Sequence, residues 1–337
     1  MLEQITLKNF GPLREVTWGR LGQINLVIGS NGSGKTFLLK ALYSAMRTLE
    51  SYRRGDDPRS EAEILAAKLY WTFQPEKIGD LVTKGSSDPL QCELWLDAKR
   101  FYYSFGKDTS KQIMDLSNQV AVRSDHSIFL PAKEVLSLQG VILKSREQDA
   151  AFGFDDTYLD LARALRIPPT KGNNYKEFAQ SRRSLEQIIG GRMEYDTQRG
   201  RWQFRCGQQK FAIGLTSEGI KKIGILDTLL GNRYLTPGSI LFIDEPESAL
   251  HPKAISELLD ILALLAERGI QLFLASHSYF VVKKLFLVAQ KRDLSIPILS
   301  EMEDGEWQAA DLRDGMPSNP IIDESIRLIP NRRYGTE

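Results

Sequence analysis

The sequence predicts an α/β fold around a parallel sheet, and three observations carry that expectation. Apolar runs at 24–28, 239–243 and 271–275 show no alternation, as in strands buried on both faces. From residue 217 to 298, segments of helical spacing alternate with such runs. A glycine-rich loop joins the run Ile24-Asn25-Leu26-Val27-Ile28 to the helically spaced Leu38, Leu42, Ala45, Met46 and Leu49.

Taken in order, residues 1–28 alternate apolar and polar around Ile5, Leu7, Phe10, Val16 and Trp18, which reads as two or three strands. The helix after the loop ends in a polar linker, 51–58, and a second helix is expected at 60–71. Aromatic strands at 92–96 and 101–105 follow. Trp95, Phe101, Tyr103 and Phe105 are read as the buried face of a sheet rather than a base-stacking platform. Residues 128–191 read as a strand and then mostly helix, with stop signals at Pro168-Pro169 and Gly190-Gly191. A hairpin is expected from strands 192–197 and 201–205. No internal repeat, low-complexity tract or sustained heptad is present.

Lys+Arg number 44 and Asp+Glu 43, a net charge of +1, so composition gives no support to a polyanion-binding surface. Cys92 and Cys206 lie far apart and suit two structural thiols in a reducing cytosol. No apolar run approaches a membrane span and the N-terminus lacks an apolar signal core, so a cytoplasmic protein without a membrane partner is expected.

The loop reads Gly29, Ser30, Asn31, Gly32, Ser33, Gly34, Lys35, Thr36, with the spacing Gly-x4-Gly-Lys-Thr. Its glycines let successive backbone N–H groups curl around phosphates, Lys35 adds a mobile cation, and the Thr36 hydroxyl is placed to ligate Mg²⁺. The phosphates then sit on a helix N-terminus. A nucleoside triphosphate site with Mg²⁺ follows. The run at 239–243 ends in Asp244 and Glu245 at the functional edge of a parallel sheet. Asp244 suits the Mg²⁺ shell and Glu245 suits polarising an attacking water, where the bland alternative is a helix cap. His277, at the end of the run 271–275, is placed either to meet the γ-phosphate or water, or as a plain polar terminus.

The set resembles the ATP-binding-cassette (ABC) ATPase superfamily, and within it the soluble branch of RecF-like, SMC-like and OLD-family (overcoming lysogenization defect) ATPases. The resemblance covers residues 1–46 and 209–285. It rests on Asn9-Phe10, the loop at 29–36, Asp244-Glu245-Pro246-Glu247 and Leu250-His251-Pro252. It implies an ABC-type P-loop head with an N-terminal β-subdomain and an inserted, mostly helical lid. The parts expected are an N-terminal lobe at 1–75, inserted strands and lid at 76–208, and a C-terminal lobe at 209–337. It further implies a head-to-tail homodimer closing on ATP, with Asp244 on Mg²⁺, Glu245 as general base, His277 as switch histidine and 248–251 as a trans-contacting loop. The family's Leu-Ser-Gly-Gly-Gln signature is here Leu215-Thr216-Ser217-Glu218-Gly219, keeping Ser217 and Gly219 at a helix start for a partner's nucleotide. Gln74 stands near the place of the lid glutamine that senses Mg²⁺, or is a surface glutamine. Lys133 stands in for an arginine of similar ATPases, or simply begins a solvated helix.

Long-arm SMC machines need coiled coils between the two nucleotide blocks, and residues 37–215 carry no heptads. The stretch after His277 is too short for the nuclease domain of OLD proteins. A stand-alone, OLD-like ATPase that regulates a separately encoded effector such as a nuclease, in antiviral (antiphage) defence, is therefore the leading expectation, with 87–206 as its docking surface. The alternative is a RecF-like repair ATPase binding DNA directly through Arg182, Arg183, Lys171 and Lys176. A transporter subunit is disfavoured by the degenerate signature.

Overall fold

A computed structural model describes residues 1–169 and 176–327 of the chain. The first part runs β1 (Leu2–Phe10), β2 (Leu13–Trp18), β3 (Ile24–Ile28), α1 (Lys35–Ser51), α2 (Glu61–Phe73), β4 (Leu90–Leu96), β5 (Lys99–Phe105), β6 (Asp115–Asn118) and β7 (Ser127–Leu130). The middle holds α3 (Gln139–Leu143), α4 (Asp156–Ala164), α5 (Lys176–Ile189), β8 (Arg192–Asp196), β9 (Arg201–Cys206) and β10 (Gln209–Ala212). The last part is α6 (Glu218–Gly231), β11 (Ile240–Asp244), α7 (Pro252–Glu267), β12 (Gln271–Ser276), α8 (Tyr279–Arg292), β13 (Pro297–Glu301), β14 (Trp307–Asp311) and α9 (Pro320–Arg327).

The central sheet has the order β14-β13-β3-β12-β11-β7, with every pairing parallel except β13 with β14. Its inner strands are covered on both faces, which is why they lack alternation. Leu26, Ile243 and Leu274 enter one core with residues of α5, α6, α7 and α8. Val27, Phe242 and Phe273 enter another with α1 and the antiparallel sheet β2-β1-β4-β5-β6. There Phe242 stacks on Phe273 at 5.2 Å between ring centroids. Each such buried side chain contributes about 1.5–3 kcal/mol. Asn25 is the polar exception in β3. Its amide donates to Gly22 O (2.8 Å) and Leu272 O (3.1 Å) and accepts from Gly22 N–H (2.8 Å), so its burial leaves nothing unsatisfied.

Three strands precede the loop and helices follow it, as the sequence predicts; α1 begins at Lys35, and α2 begins after Ser60, which caps it through a capping box with Glu63. Phe101, Tyr103 and Phe105 are buried as expected. Trp95 is not in that row. Cys92, Leu94 and Leu96 take the inward positions of β4, so Trp95 falls on the opposite face and its indole N–H donates to Glu93 at 2.8 Å. The hairpin forms as β8 and β9, with β10 added as an unforeseen third strand. Cys92 is buried, which pushes its thiol up to about 12, whereas Cys206 is exposed, so the expectation of two structural thiols holds for the first alone.

The segment 76–208 is not one block in space. Its strands β4–β6 extend the sheet begun by β1, and β7 pairs with β11 at the edge of the parallel sheet. Only the part after β7 adds no strand to either sheet: β8–β10 form a sheet of their own, while α4 and α5 pack into the core of the parallel sheet. There α4 docks on α1 and α2 through charges rather than an apolar stripe. Lys40 pairs with Asp155 (2.6 Å), Lys68 with Asp156 (2.6 Å) and Asp160 (2.8 Å), and Arg146 with Asp156 (2.8 Å). Burial opposes the charge on Asp160, but Lys68 and Arg47 beside it hold its carboxyl well below the usual range.

Candidate functional site

The site forms where β3, β11, β12 and β13 end side by side. Gly32 (φ +85°) and Gly34 (φ +104°) hold left-handed backbone that side chains resist, and a Cβ on Gly34 would stand 2.9 Å from Leu13. Gly34 is also the N-cap of α1 and offers no side-chain cap, leaving the first amides of the helix for an anion. Lys35 is buried, and its Nζ donates to Gly29 O (2.9 Å) and Ser30 O (2.7 Å). Burial lowers its pKa, opposed by the carboxylates of Asp244, Glu301, Glu245 and Glu247.

Thr36 Oγ1 donates to the Asp244 carboxylate at 2.9 and 3.1 Å, so the residues expected at the metal meet directly. Burial raises the pKa of Asp244, a cost that a bound cation would offset. The hydroxyl, the carboxylate and the uncapped helix start together fit Mg²⁺ and phosphate. Beyond Asp244 the chain turns sharply. Glu245 takes left-handed backbone (φ +48°) and its N–H donates to Ala275 O at 2.9 Å. That turn frees its carboxylate toward His277, whose Nδ1 lies 3.5 Å from Glu245 Oε1 and 3.9 Å from Glu247 Oε1. Glu247 accepts from Ser276 Oγ at 2.7 Å, while its other oxygen is buried with no hydrogen-bond partner among the described residues.

A cavity of about 520 Å³ opens beside the loop, lined by Gly32, Gly34, Lys35, Thr36 and, across it, Lys40, Gln74 and Asp155. Gln74 therefore reaches the site, yet both ends of its amide serve residues 153–154: it donates to Phe154 O (3.0 Å) and accepts from Gly153 N–H (3.1 Å). Lys133 is exposed where the chain leaves β7, beside Lys222 and Ser248.

The signature segment lies elsewhere. No residue of 215–219 lines that cavity beside the loop. Ser217 is exposed and caps α6. Gly219 is buried, and a Cβ there would stand 2.6 Å from Ala249 O, so its smallness already serves the packing of α6 on residues 248–250. Of the basic group considered for DNA, Arg182 is paired with Asp227 at 2.8 Å and Arg183 is exposed. Lys171 and the Lys176 side chain lie outside the described residues.

Two residues at the site were missed. Lys222 of α6 donates to the main-chain oxygens of Asp244 and Glu245, tying the signature helix to the acidic turn, and burial lowers its pKa to about 8. Its neighbour Lys221 gives α6 a pair of adjacent cations, and nothing in the sequence singles out the second. Glu301 ends β13 and accepts from Ser30. The rule that drew attention to Asp244, an acid ending an apolar strand, would have found it.

The family described as "AAA domain, putative AbiEii toxin, Type IV TA system" matches residues 24–283. The uncharacterized protein MJECL10 of Methanocaldococcus jannaschii is 32% identical over 90 residues, 26% of this chain and 38% of that protein, so the chain spans well under two thirds of that relative. Among solved structures, an SMC head bound to the C-winged helix domain of ScpA is similar at a TM-score of 0.54 and 14% identity, over 92% of this chain and 97% of that one. The Pyrococcus furiosus SMC head with an extended coiled coil, bound to the C-terminal domain of ScpA, gives a TM-score of 0.54 at 14% identity, over 97% and 99%. The chain thus belongs to the family described as "AAA domain, putative AbiEii toxin, Type IV TA system", and its fold is that of the SMC head domains.

Proposed function

We propose that this chain is a Mg²⁺-dependent ATP hydrolase whose nucleotide-driven pairing with a second copy regulates a separately encoded effector. The observation that carries the reading is the direct meeting of Thr36 with Asp244, with Glu245 and His277 at the same edge. Lys35 leaves its loop carbonyls to bind the β- and γ-phosphates. When bound, Mg²⁺ held by Thr36 and Asp244 would neutralise phosphate charge. Glu245 takes a proton from the attacking water, and His277 orients Glu245 or the water. Gln74 acts in this reading as a tie to residues 153–154, and Ser217 and Gly219 present the start of α6 to a second copy's nucleotide. We divide the chain functionally near residues 75 and 208, with 209–337 carrying the acids, histidine and signature.

A protein partner is supported by exposed apolar side chains after β7: Val141 (57%), Phe152 (50%) and Leu215 (80%). The docking surface is accordingly redrawn, among the described residues, to about 136–169 and 176–215, since β4–β7 are committed to the sheets. The name of the family refers to a toxin–antitoxin system, a two-component arrangement, and the similar SMC heads were solved with ScpA domains on them. An antiphage role is the biological setting we favour. The test is affinity purification from the native host with Glu245→Gln and Lys35→Ala forms, compared by mass spectrometry, beside the oligomeric state of each with ATP. A stoichiometric protein retained differently by the two forms, and an ATP-dependent dimer of Glu245→Gln, are expected. Tight, salt-sensitive DNA binding with no protein partner would replace this reading with the repair one.

A further inference from the structure

Gly29 and Glu301 leave the sheet together. β13 runs parallel to β3 with Ser300 opposite Ile28, so the next residue of each strand stands beside the other. Glu301 Oε2 accepts from both the Ser30 N–H (2.9 Å) and the Ser30 hydroxyl (2.8 Å). The contact is close-fitting: a Cβ on Gly29 would lie 2.9 Å from Glu301 Cβ and from its Oε2. Glu301 is itself anchored, its main-chain oxygen accepting from Asn319 Nδ2 at 3.2 Å just before α9. On the other side, Lys35 holds the carbonyl oxygens of the same two residues. The start of the phosphate loop is therefore gripped from both sides, by a cation on the Gly29 and Ser30 carbonyl oxygens and a carboxylate on the Ser30 N–H and hydroxyl.

We propose that Glu301 is a positioning residue for the nucleotide site, one that fixes Gly29 and Ser30 in the conformation that receives the phosphates. The inference rests on the reading of residues 29–36 as a triphosphate site. Lys35 must release its two carbonyls to meet phosphate, and at that moment the glycine-rich start of the loop loses half of its grip. Glu301 supplies the half that remains. Without it the loop would have to be ordered by the nucleotide, at an entropic cost taken from affinity. The negative charge works in the opposite direction, because it stands on the loop that must accept a polyanion. The useful feature of Glu301 is then its acceptor oxygen and not its charge. An amide of the same shape keeps the first and removes the second.

This separates the outcomes. Glu301→Gln should bind ATP at least as tightly as wild type, and Glu301→Ala about tenfold more weakly than Glu301→Gln, both measured by titration calorimetry on the full chain. Thermal unfolding without nucleotide is measured in parallel, and the two variants should unfold within a few degrees of each other. Equal affinity of the alanine and glutamine forms would overturn the proposal, as would an equal loss in both. If wild type itself binds no ATP, and Lys35→Ala is indistinguishable from it, the triphosphate site and not Glu301 is the failed assignment.

Discussion

Replacing Glu245 by glutamine tests the division of labour at the acidic turn. Its side chain is 37% exposed, and its left-handed backbone is no more demanding for Gln than for Glu, so the fold should lose less than about 0.5 kcal/mol. Thr36 and Asp244 are untouched, so ATP and Mg²⁺ binding should persist. What disappears is the ability to accept a proton. General-base catalysis contributes roughly 10²–10⁴ in rate, or about 3–5 kcal/mol of barrier, and the turnover of Glu245→Gln should fall by that factor. The assay is phosphate release at saturating MgATP, with ATP affinity and melting temperature measured on the same preparation. His277 Nδ1 stands 3.5 Å from the carboxylate, within reach of orienting it. Removing His277 from wild type should therefore cost activity, and removing it from Glu245→Gln should cost little more. Turnover of Glu245→Gln within threefold of wild type would refute the assignment of the base.

Lys35→Ala should weaken ATP binding by roughly 10²–10³, since charge-assisted hydrogen bonds to phosphate are lost from a buried cation; unchanged affinity by calorimetry would contradict the loop's role. Lys222→Met should change how stability responds to alkali. In the fold, burial holds the Lys222 pKa at about 8 against a reference of 10.5, so between those values the unfolded chain binds more protons and this group makes stability rise with pH. The difference in melting temperature between wild type and Lys222→Met should accordingly shift in favour of wild type from pH 8 to 10, by an amount equivalent to about 3 kcal/mol at most. A constant difference across that range would show that Lys222 is not the buried cation described.

The parts of the site legible in the sequence are those where one short segment does the work. Gly32 and Gly34 announce themselves because their backbone angles exclude other residues, and Asp244 and His277 because each ends a strand too apolar to lie anywhere but inside the sheet. What was not legible depends on neighbours distant in the chain. Glu301 meets Ser30 only because β13 lands beside β3, and Lys222 meets the acidic turn only because α6 packs on residues 248–250. Trp95 shows the smaller version of the same limit. Alternation gives two faces, and the aromatic residue was assigned to the wrong one although Cys92, Leu94 and Leu96 already filled the inward positions.

The charges between α4 and the helices α1 and α2, namely Lys40, Arg47, Lys68, Asp155, Asp156 and Asp160, carry no apolar periodicity that the sequence alone would reveal as an interface. In the fold they are largely buried and paired. Such pairs recover little more than their desolvation cost, so they dock α4 with less net stabilisation than an apolar stripe of the same area would give. They are instead specific in geometry and sensitive to nearby charge. One of them, Lys40 with Asp155, lines the same cavity as Lys35 and Thr36, and the adjoining residues 153–154 are tied to Gln74. A polyphosphate entering that cavity would approach Asp155 and compete with it for Lys40. On its side toward α1 and α2, α4 is held by these exchangeable pairs, while Leu161, Ala162 and Ala164 on its other side are buried in the core of the parallel sheet. This gives nucleotide binding a physical route to the segment after β7, where the exposed apolar side chains lie, because a bound ligand moves an element only through a difference in its interactions with two arrangements of it.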